Sequence, residues 1–487
     1  MADPSVTELS SARRYLVLAI CCLSLFIVGI DVTIVNVALP QIQRSLHASV
    51  SGLQWTVDAY TLVIACLLML SGSLADRFGR RRVFQIGLAI FSLGSLLCGV
   101  APGLGALVAF RALQAVGGSM LNPVAMSIIV NTFTDRGERA RAVGIWGSVV
   151  GVSLALGPVL GGLLVSSTGW RSIFWINVPI GIAAIAATQR FVPESKAPHA
   201  RRLDPAAQVL IVVMLAAITY GVIEGPRRGW GSATITGLFV LGAVAAALLI
   251  AAELRRREPL IDMRFFRSAP FAGASVIAVA AFGALGGFLF LNTLYLQDVR
   301  GYTPVRAGLL TIPMAVMIAI FASVSGRIVG RRGPRIPFAL AGPALAIGAL
   351  LLARLTAHTP VSYLVIAYVI FGIGCGLVTA PITSTAVSGM PKEQAGVAGA
   401  IASTGRQVGS SLGVAVTGSI VATTASASFV AASHAAWLVI AGCGLAVLVV
   451  GLVSTGSWAQ RTAARNSERL VPLPQEGSDD RSAAAAR

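Results

Sequence analysis

The chain has 487 residues, 56% of them hydrophobic and only 11% charged, with a formal net charge of +18. Soluble domains carry about 25% charged residues, so a mean hydropathy of +0.82 excludes an ordinary soluble globule and makes lipid the main solvent. A charge of +18 would also suit nucleic acid, but the arginines fall in short clusters between apolar runs, which excludes that partner.

A membrane-crossing helix needs roughly 20 apolar residues. Runs of that kind occupy 15–38, 50–73, 83–101, 105–131, 140–166, 171–192, 206–223, 233–252, 270–296, 305–329, 336–356, 361–388, 396–424 and 434–456. The first follows Arg13-Arg14 but is too long for a signal peptide, and no small-x-small cleavage pattern follows it, so it is expected to stay as a span. The seventh and eighth are the weakest runs, joined by a polar turn from Glu224 to Gly231. Residues 458–487 are polar and rich in Ser and Ala, and are expected to form a disordered tail.

With the N-terminus inside, the inner loops and the two termini hold 28 of the 37 Lys and Arg, Arg201, Arg202 and Lys392 among them, and the outer positions hold seven. That asymmetry is the positive-inside rule, and it accounts for the basic charge. An even number of spans leaves both termini in the cytoplasm. Only Arg111 and Arg406 remain within runs. The stretch 71–81, SGSLADRFGRR, recurs as 325–335, SGRIVGRRGPR, on the same side after another span. Two related halves are a common transporter plan. The expected organisation is an all-α membrane protein with an N-terminal half over 1–192, two extra spans and a linker over 193–264, a C-terminal half over 265–457, and the tail.

A charge at the bilayer centre costs at least about 2.5 kcal/mol unless it is paired or wet. Asp31, Asp58 and Arg111 all fall roughly 9–14 Å below the outer ends of their runs. Two acids then face one base, which leaves a carboxylate free to titrate. Arg111, Gly118 and Asn122 share one helical stripe, with Gln114 beside it. Arg406-Gln407 lies about ten residues into the thirteenth run, without an acid of the second half near that depth; water, an anionic group and helix carbonyls are all open as its partners.

The six Cys all lie in apolar runs without a CxxC, and His47, His199, His358 and His434 fall in or beside loops, so no metal site is expected. Gly409-Ser-Ser-Leu-Gly413 has the GxSxG spacing of a hydrolase but sits inside an apolar span, and neither Lys196 nor Lys392 follows Gly as a phosphate-loop lysine would. An enzyme is not expected; nor is a cofactor, which leaves an ion gradient as the energy source.

The loop Gly72-Ser-Leu-Ala-Asp76-Arg77-Phe-Gly79-Arg80-Arg81 resembles the signature loop of the major facilitator superfamily. Asp31-Val-Thr-Ile-Val-Asn36-Val-Ala-Leu-Pro40, Arg111-Ala-Leu-Gln114, Gly157-Pro158-Val-Leu-Gly161-Gly162, Trp170-Arg171-Ser-Ile-Phe-Trp-Ile-Asn177-Val-Pro179 and Tyr295-Leu-Gln297-Asp-Val-Arg-Gly301-Tyr302 narrow the resemblance to its fourteen-span drug:proton antiporters, the EmrB/QacA group. Ala115 and Ser153 stand where that group has Gly, and the tenth run lacks the acid of some dication exporters. The resemblance implies a fold of two six-helix halves with two inserted spans, a monomer in the cell membrane, and export of small amphipathic drugs, antibiotics or dyes in exchange for protons. Export of a metabolite, lipid or self-made antibiotic is the alternative, and a non-transporting receptor a further one. The shared depth assigns proton coupling to Asp31, Asp58 and Arg111: Asp31 is the first choice as carrier, Asp58 shares the proton or contacts a cationic substrate, and Arg111 tunes both acids. Asn36, Gln114, Asn122, Arg406 and Gln407 would line the cavity. Gly72, Asp76, Arg77, Gly79 and Arg80 would latch the cytoplasmic side, with Asp76 capping a helix of the opposite half or pairing with Arg. Gly144, Gly157, Pro158, Gly161 and Gly162 would form the antiporter packing motif. Reporter fusions after Arg267 and at the C-terminus should both report a cytoplasmic location; a periplasmic signal from either breaks the fourteen-span topology.

Overall fold

A computed structural model describes residues 10–197, 204–256, 261–391, 394–423 and 429–470, and no strand occurs among them. Arg201, Arg202, Lys392 and the tail from 471 lie outside the described residues. The first half comprises α1 (Ser11–Leu46), α2 (Val50–Phe78), α3 (Arg80–Gly99), α4 (Leu104–Thr132), α5 (Arg136–Thr168) and a sixth crossing made of the short α6 (Ser172–Trp175) and α7 (Asn177–Phe191). The hairpin of α8 (Pro205–Arg228) and α9 (Ala233–Arg255) follows. The second half contains α10 (Ala269–Leu294), which ends in a π-helical turn, α11 (Pro304–Arg332), α12 (Arg335–Leu352), α13 (Val361–Val387), α14 (Ala395–Thr423) and α15 (Phe429–Ser454). A final helix, α16, spans Ser457–Leu470.

Every expected apolar run is a helix, but thirteen, rather than fourteen, are apolar enough to count as crossings by composition among the described residues. The exception is α14, which is 29 residues long but carries Arg406, Gln407 and many Gly, Ser and Thr. It packs against α10 and α2 inside the bundle, where a polar helix is tolerated.

Three boundaries differ from expectation for local reasons. α1 continues six residues past Pro40, and the Arg44 side chain folds back to donate to the Pro40 carbonyl at 3.1 Å. α8 runs through the expected polar turn, because Glu224 pairs with Arg227 at 3.0 Å and reaches Arg228 at 3.9 Å, one helical turn on. The tail expected to be disordered begins with helix α16. Its Ala459, Ala463 and Asn466 are buried, Thr462 Oγ1 accepts from the Ala269 amide that opens α10, and Asn466 donates to the Arg264 carbonyl. Those contacts are tertiary, and composition alone does not reveal them. His434, expected at a loop, lies inside α15 with its ring against the Leu355 carbonyl at 3.0 Å.

The two halves repeat one packing plan. The first helix of each lies on the fifth (α1 on α5, α10 on α14), the second on the fourth (α2 on α4, α11 on α13), and the third on the fourth and sixth. The halves meet through crossed pairs, α2 with α14 and α5 with α11. The α8–α9 hairpin lies on α2 and α14, with α8 innermost. Gln208 donates to the Cys66 carbonyl at 2.7 Å, and the Trp55 indole donates to Glu224 at 3.2 Å. The hairpin therefore covers one seam between the halves.

The face carrying the α2–α3 and α11–α12 loops is called the basic face below. The bonds described between the halves lie toward the opposite face. Gln54 of α2 donates to the Val414 and Ala415 carbonyls of α14, and Gln297 donates to the Val37 carbonyl of α1 at 2.8 Å. A Cβ at Gly162 would stand 2.7 Å from Pro304, and one at Gly308 would stand 2.3 Å from the Pro158 carbonyl. Only glycine permits α5 and α11 to approach this closely. Toward the basic face the same helices part: Gly144, Gly147, Gly326 and Gly330 face no atom within 4 Å. The bundle is closed at one face and opened at the other. Gly308→Leu should cost the closed arrangement about 1–3 kcal/mol and raise maleimide labelling of a cysteine placed at Ala307, a buried position; unchanged labelling would show that the close approach is not what closes this face.

Candidate ion-coupling site

Asp31 of α1 is fully buried. Its Oδ2 lies 2.5 Å from Nη1 of Arg111 on α4, which is itself 1% exposed. Oδ1 accepts from Gln114 Nε2 at 2.8 Å and from Asn177 Nδ2 at 3.2 Å. Gln114 and Asn177 also donate to Ser95 Oγ, which in turn donates to the Phe174 carbonyl. Arg111 spends its other donors on Gln114 Oε1 at 2.7 Å and on the Thr56 carbonyl at 3.2 Å. The Tyr60 ring lies 4.1 Å from its guanidinium carbon. A buried ion pair is tolerated only when its remaining lone pairs and protons are satisfied, and here five helices supply that satisfaction. The spacing of Arg111 and Gln114, one turn apart on α4, lets both reach the same carboxylate.

Asp58 is different. It is also fully buried, on α2, but no arginine bonds to it among the described residues. Oδ1 accepts from the Thr61 hydroxyl at 3.4 Å, Oδ2 has no hydrogen-bond partner, and the Ser411 side chain of α14 lies beside it. Asp58 therefore stands at the seam between the halves, one turn from the Gln54 bonds that close it. The two acids share a layer, as depth suggested, yet the base serves one of them.

The residues expected to line a cavity separate into groups. Gln114 belongs to the Asp31 cluster. Asn36 donates to its own helix at Val32, while its Oδ1 is unpartnered and lines a cavity of about 10 Å³ together with Asn292, Gln297 and Thr311; that is room for about one water. Asn122 is half-buried with an unpartnered Oδ1. Arg406 donates to Thr383 Oγ1 at 2.5 Å and Thr379 O at 3.4 Å on α13, and lies over the Phe282 ring at 5.6 Å. All these partners are neutral, and its Nε is unpartnered. Gln407 beside it is half-buried.

At the basic face Asp76 pairs with Arg80 at 2.9 Å within its own loop, the second of the two expected arrangements, and Arg77 is exposed. The helix end at this loop is capped by a residue the sequence did not single out. Glu194, after α7, accepts from the backbone amides of Arg81 and Arg82 at the start of α3, where an anion suits the helix N-terminus. Gly79 has φ 108°, and a Cβ there would strike that carboxylate. Gly72 and Gly144 face no neighbour, whereas Gly157 and Gly161 pack on Thr33 and Ile34 of α1.

Residues 21–414 match the family model described as the Major Facilitator Superfamily. The chain belongs to the major facilitator superfamily. Among its relatives is the Multidrug resistance protein Stp of Mycobacterium tuberculosis, 39% identical over 83% of this chain and 75% of that one. The Methylenomycin A resistance protein of Streptomyces coelicolor is 36% identical over 87% of this chain and 88% of its own length. A bacterial homologue of the lysosomal transporter Spinster, solved in an inward-facing and unoccupied conformation, shares the fold with a TM-score of 0.62 at 18% identity, covering 96% of this chain and all of that one.

Within this major facilitator bundle, Asn177, Ser95, Thr56 and Tyr60 complete the Asp31–Arg111 cluster, and sequence reasoning did not pick them as site residues. Asn177 left a signal, as a lone amide inside an apolar run within a quoted motif. Ser95 left none, because a hydroxyl in a membrane helix usually bonds its own backbone, and Thr56 left none because it offers its main-chain carbonyl. Breaking a buried pair on one side strands the other charge, at about 3–5 kcal/mol. Arg111→Ala should therefore lower the thermal stability of the purified chain sharply, and in an Asp31→Asn background the same change should cost far less. Equal losses in both backgrounds would show that the pair is not coupled.

Proposed function

We propose that the chain is a proton-coupled antiporter that exports small amphipathic compounds, drugs and antibiotics among them, across the cytoplasmic membrane. The observation that carries this is the lone buried Asp58 at the seam between the halves, beside a second acid already satisfied by Arg111. Burying an ionised carboxylate without a partner is far costlier than burying the neutral acid. The seam around Asp58 therefore closes with a proton aboard and resists closing without one. The resistance for which Stp and the methylenomycin relative are named supports export as the direction of transport. A self-made antibiotic as cargo would change the substrate and leave this machinery as it is.

The cycle follows from the two faces. With the basic face in the cytoplasm, where the arginine distribution puts it together with both termini, the present arrangement is inward-facing. Substrate enters from the cytoplasm as Asp58 gives up its proton. The ionised seam then favours the outward-facing state, and a proton from outside returns it. Asp31, held by Arg111 and Gln114, is the second carboxylate of the layer, and exchanges Arg111 for a proton only when those helices part. Arg406 and Gln407 offer the cavity donors on the opposite wall. The proton gradient supplies the energy, a single copy suffices, and no step requires an enzyme activity, a cofactor or a metal.

Asp58→Asn fixes the neutral form. It should abolish accumulation of substrate against its gradient when only a proton gradient is supplied, and stop substrate–substrate exchange in proteoliposomes, while substrate still binds to the purified chain. If Asp58→Asn still accumulates substrate under a proton gradient alone, Asp58 is not the carrier.

A further inference from the structure

Beneath Asp58, toward the basic face, lies a cavity of about 220 Å³. Its walls come from both halves and the inserted hairpin: Ala65, Cys66 and Met69 of α2; Met214 of α8; Val279 of α10; and Thr404 and Val408 of α14 are among them. On α2, Asp58, Leu62, Ala65, Cys66 and Met69 form one helical stripe. On α14, Ser411, Val408, Thr404 and Ile401 form the facing one. The chamber thus continues the seam that contains the lone acid, with about one helical turn, at Leu62 and Val408, between them. Its α10 wall lies roughly 9–15 Å from the basic-face end of that helix, within the inner half of the bilayer.

The lining is apolar apart from a few hydroxyl groups, and one of these is unused: Thr404 Oγ1 is buried and has no hydrogen-bond partner. Met69 and Met214 are half-buried walls, and methionine adapts to differently shaped neighbours. Size decides what the chamber holds. A cavity of about 150 Å³ accepts benzene, while whole drug-sized ligands fill about 300–1,000 Å³. At about 220 Å³ the chamber accommodates one or two rings.

We propose that this chamber is a subsite for the apolar, ring-bearing end of the exported compound, walled on its outer side by the inserted hairpin. The proposal rests on the export reading above and deepens it by naming the substrate class: amphipathic compounds whose aromatic end sits in the chamber while the polar end lies one turn away, at the level of Asp58. A monovalent cation there takes the place of the proton. The inserted hairpin gains a role as the outer wall of a binding site, and Thr404 as its polar anchor.

The test uses the full chain in proteoliposomes, with tetraphenylphosphonium as the probe and an imposed proton gradient. Ala65→Phe and Val279→Phe fill the chamber from opposite walls. Each should raise the KM for the probe at least tenfold while the thermal stability of the chain is kept. Independently, an azidoaryl phosphonium should photolabel wild-type peptides carrying 65–69 or 401–408, and tetraphenylphosphonium should displace it. Unchanged KM in both filled variants, or labelling only elsewhere, overturns the proposal. Labelling in the chamber that the probe fails to displace also overturns it. Displaceable labelling without transport by the wild type would uphold the chamber and contradict the export reading instead.

Discussion

A charge buried in a membrane protein has to be matched, wetted or neutralised, and this molecule contains matched and unmatched acids in the same layer. Asp31 is matched as fully as a carboxylate can be, by Arg111, Gln114 and Asn177. Asp58 has only the hydroxyls of Thr61 and Ser411 beside it and no basic partner among the described residues. The first arrangement fixes helices α1, α4 and α7 relative to one another. The second leaves a place where the arrival or loss of one proton changes the free energy of a whole interface by several kcal/mol. An equilibrium between two packings of the halves needs a bias of that size to be driven almost completely from one to the other.

The geometry around Asp58 is such that a bias of this kind would act on the halves. Gln54, one turn away on α2, joins α14 by two carbonyls, and the crossed partner pair α5–α11 closes on Gly162 and Gly308. Close approach of that kind is all-or-none, because a Cβ added at either glycine would stand only 2.3 to 2.7 Å from the facing backbone, and a partial separation loses that packing. The α8–α9 hairpin rides on the same seam, tied to α2 by Trp55–Glu224 and Gln208–Cys66. It therefore sits where movement of α2 past α14 would be felt first.

Much of this was legible in the sequence. Hydropathy located each long helix, the arginines assigned the loops to two sides, and depth along the runs brought Asp31, Asp58 and Arg111 into one layer. Which acid the arginine serves was not legible, because residue spacing gives depth along a helix but not the rotation of one helix against another. Glu194 escaped notice for a related reason: it caps α3 from a loop more than a hundred residues later. α16 read as a polar tail because its short alanine face finds its partners only in the folded protein. α14 shows the reverse limit, since a helix shielded by its neighbours carries more polar residues than a lipid-facing one tolerates.

The central claim is that protonation of Asp58 controls closure of the face opposite the basic loops. Spin labels at Ser51 on α2 and Thr423 on α14 report the separation across that face by pulsed electron resonance. In the otherwise wild-type chain, the distance distribution should shift from short to long as pH rises. With Asp58→Asn it should stay short throughout. An Asp58→Asn distribution that lengthens with pH as the wild type does would contradict the account.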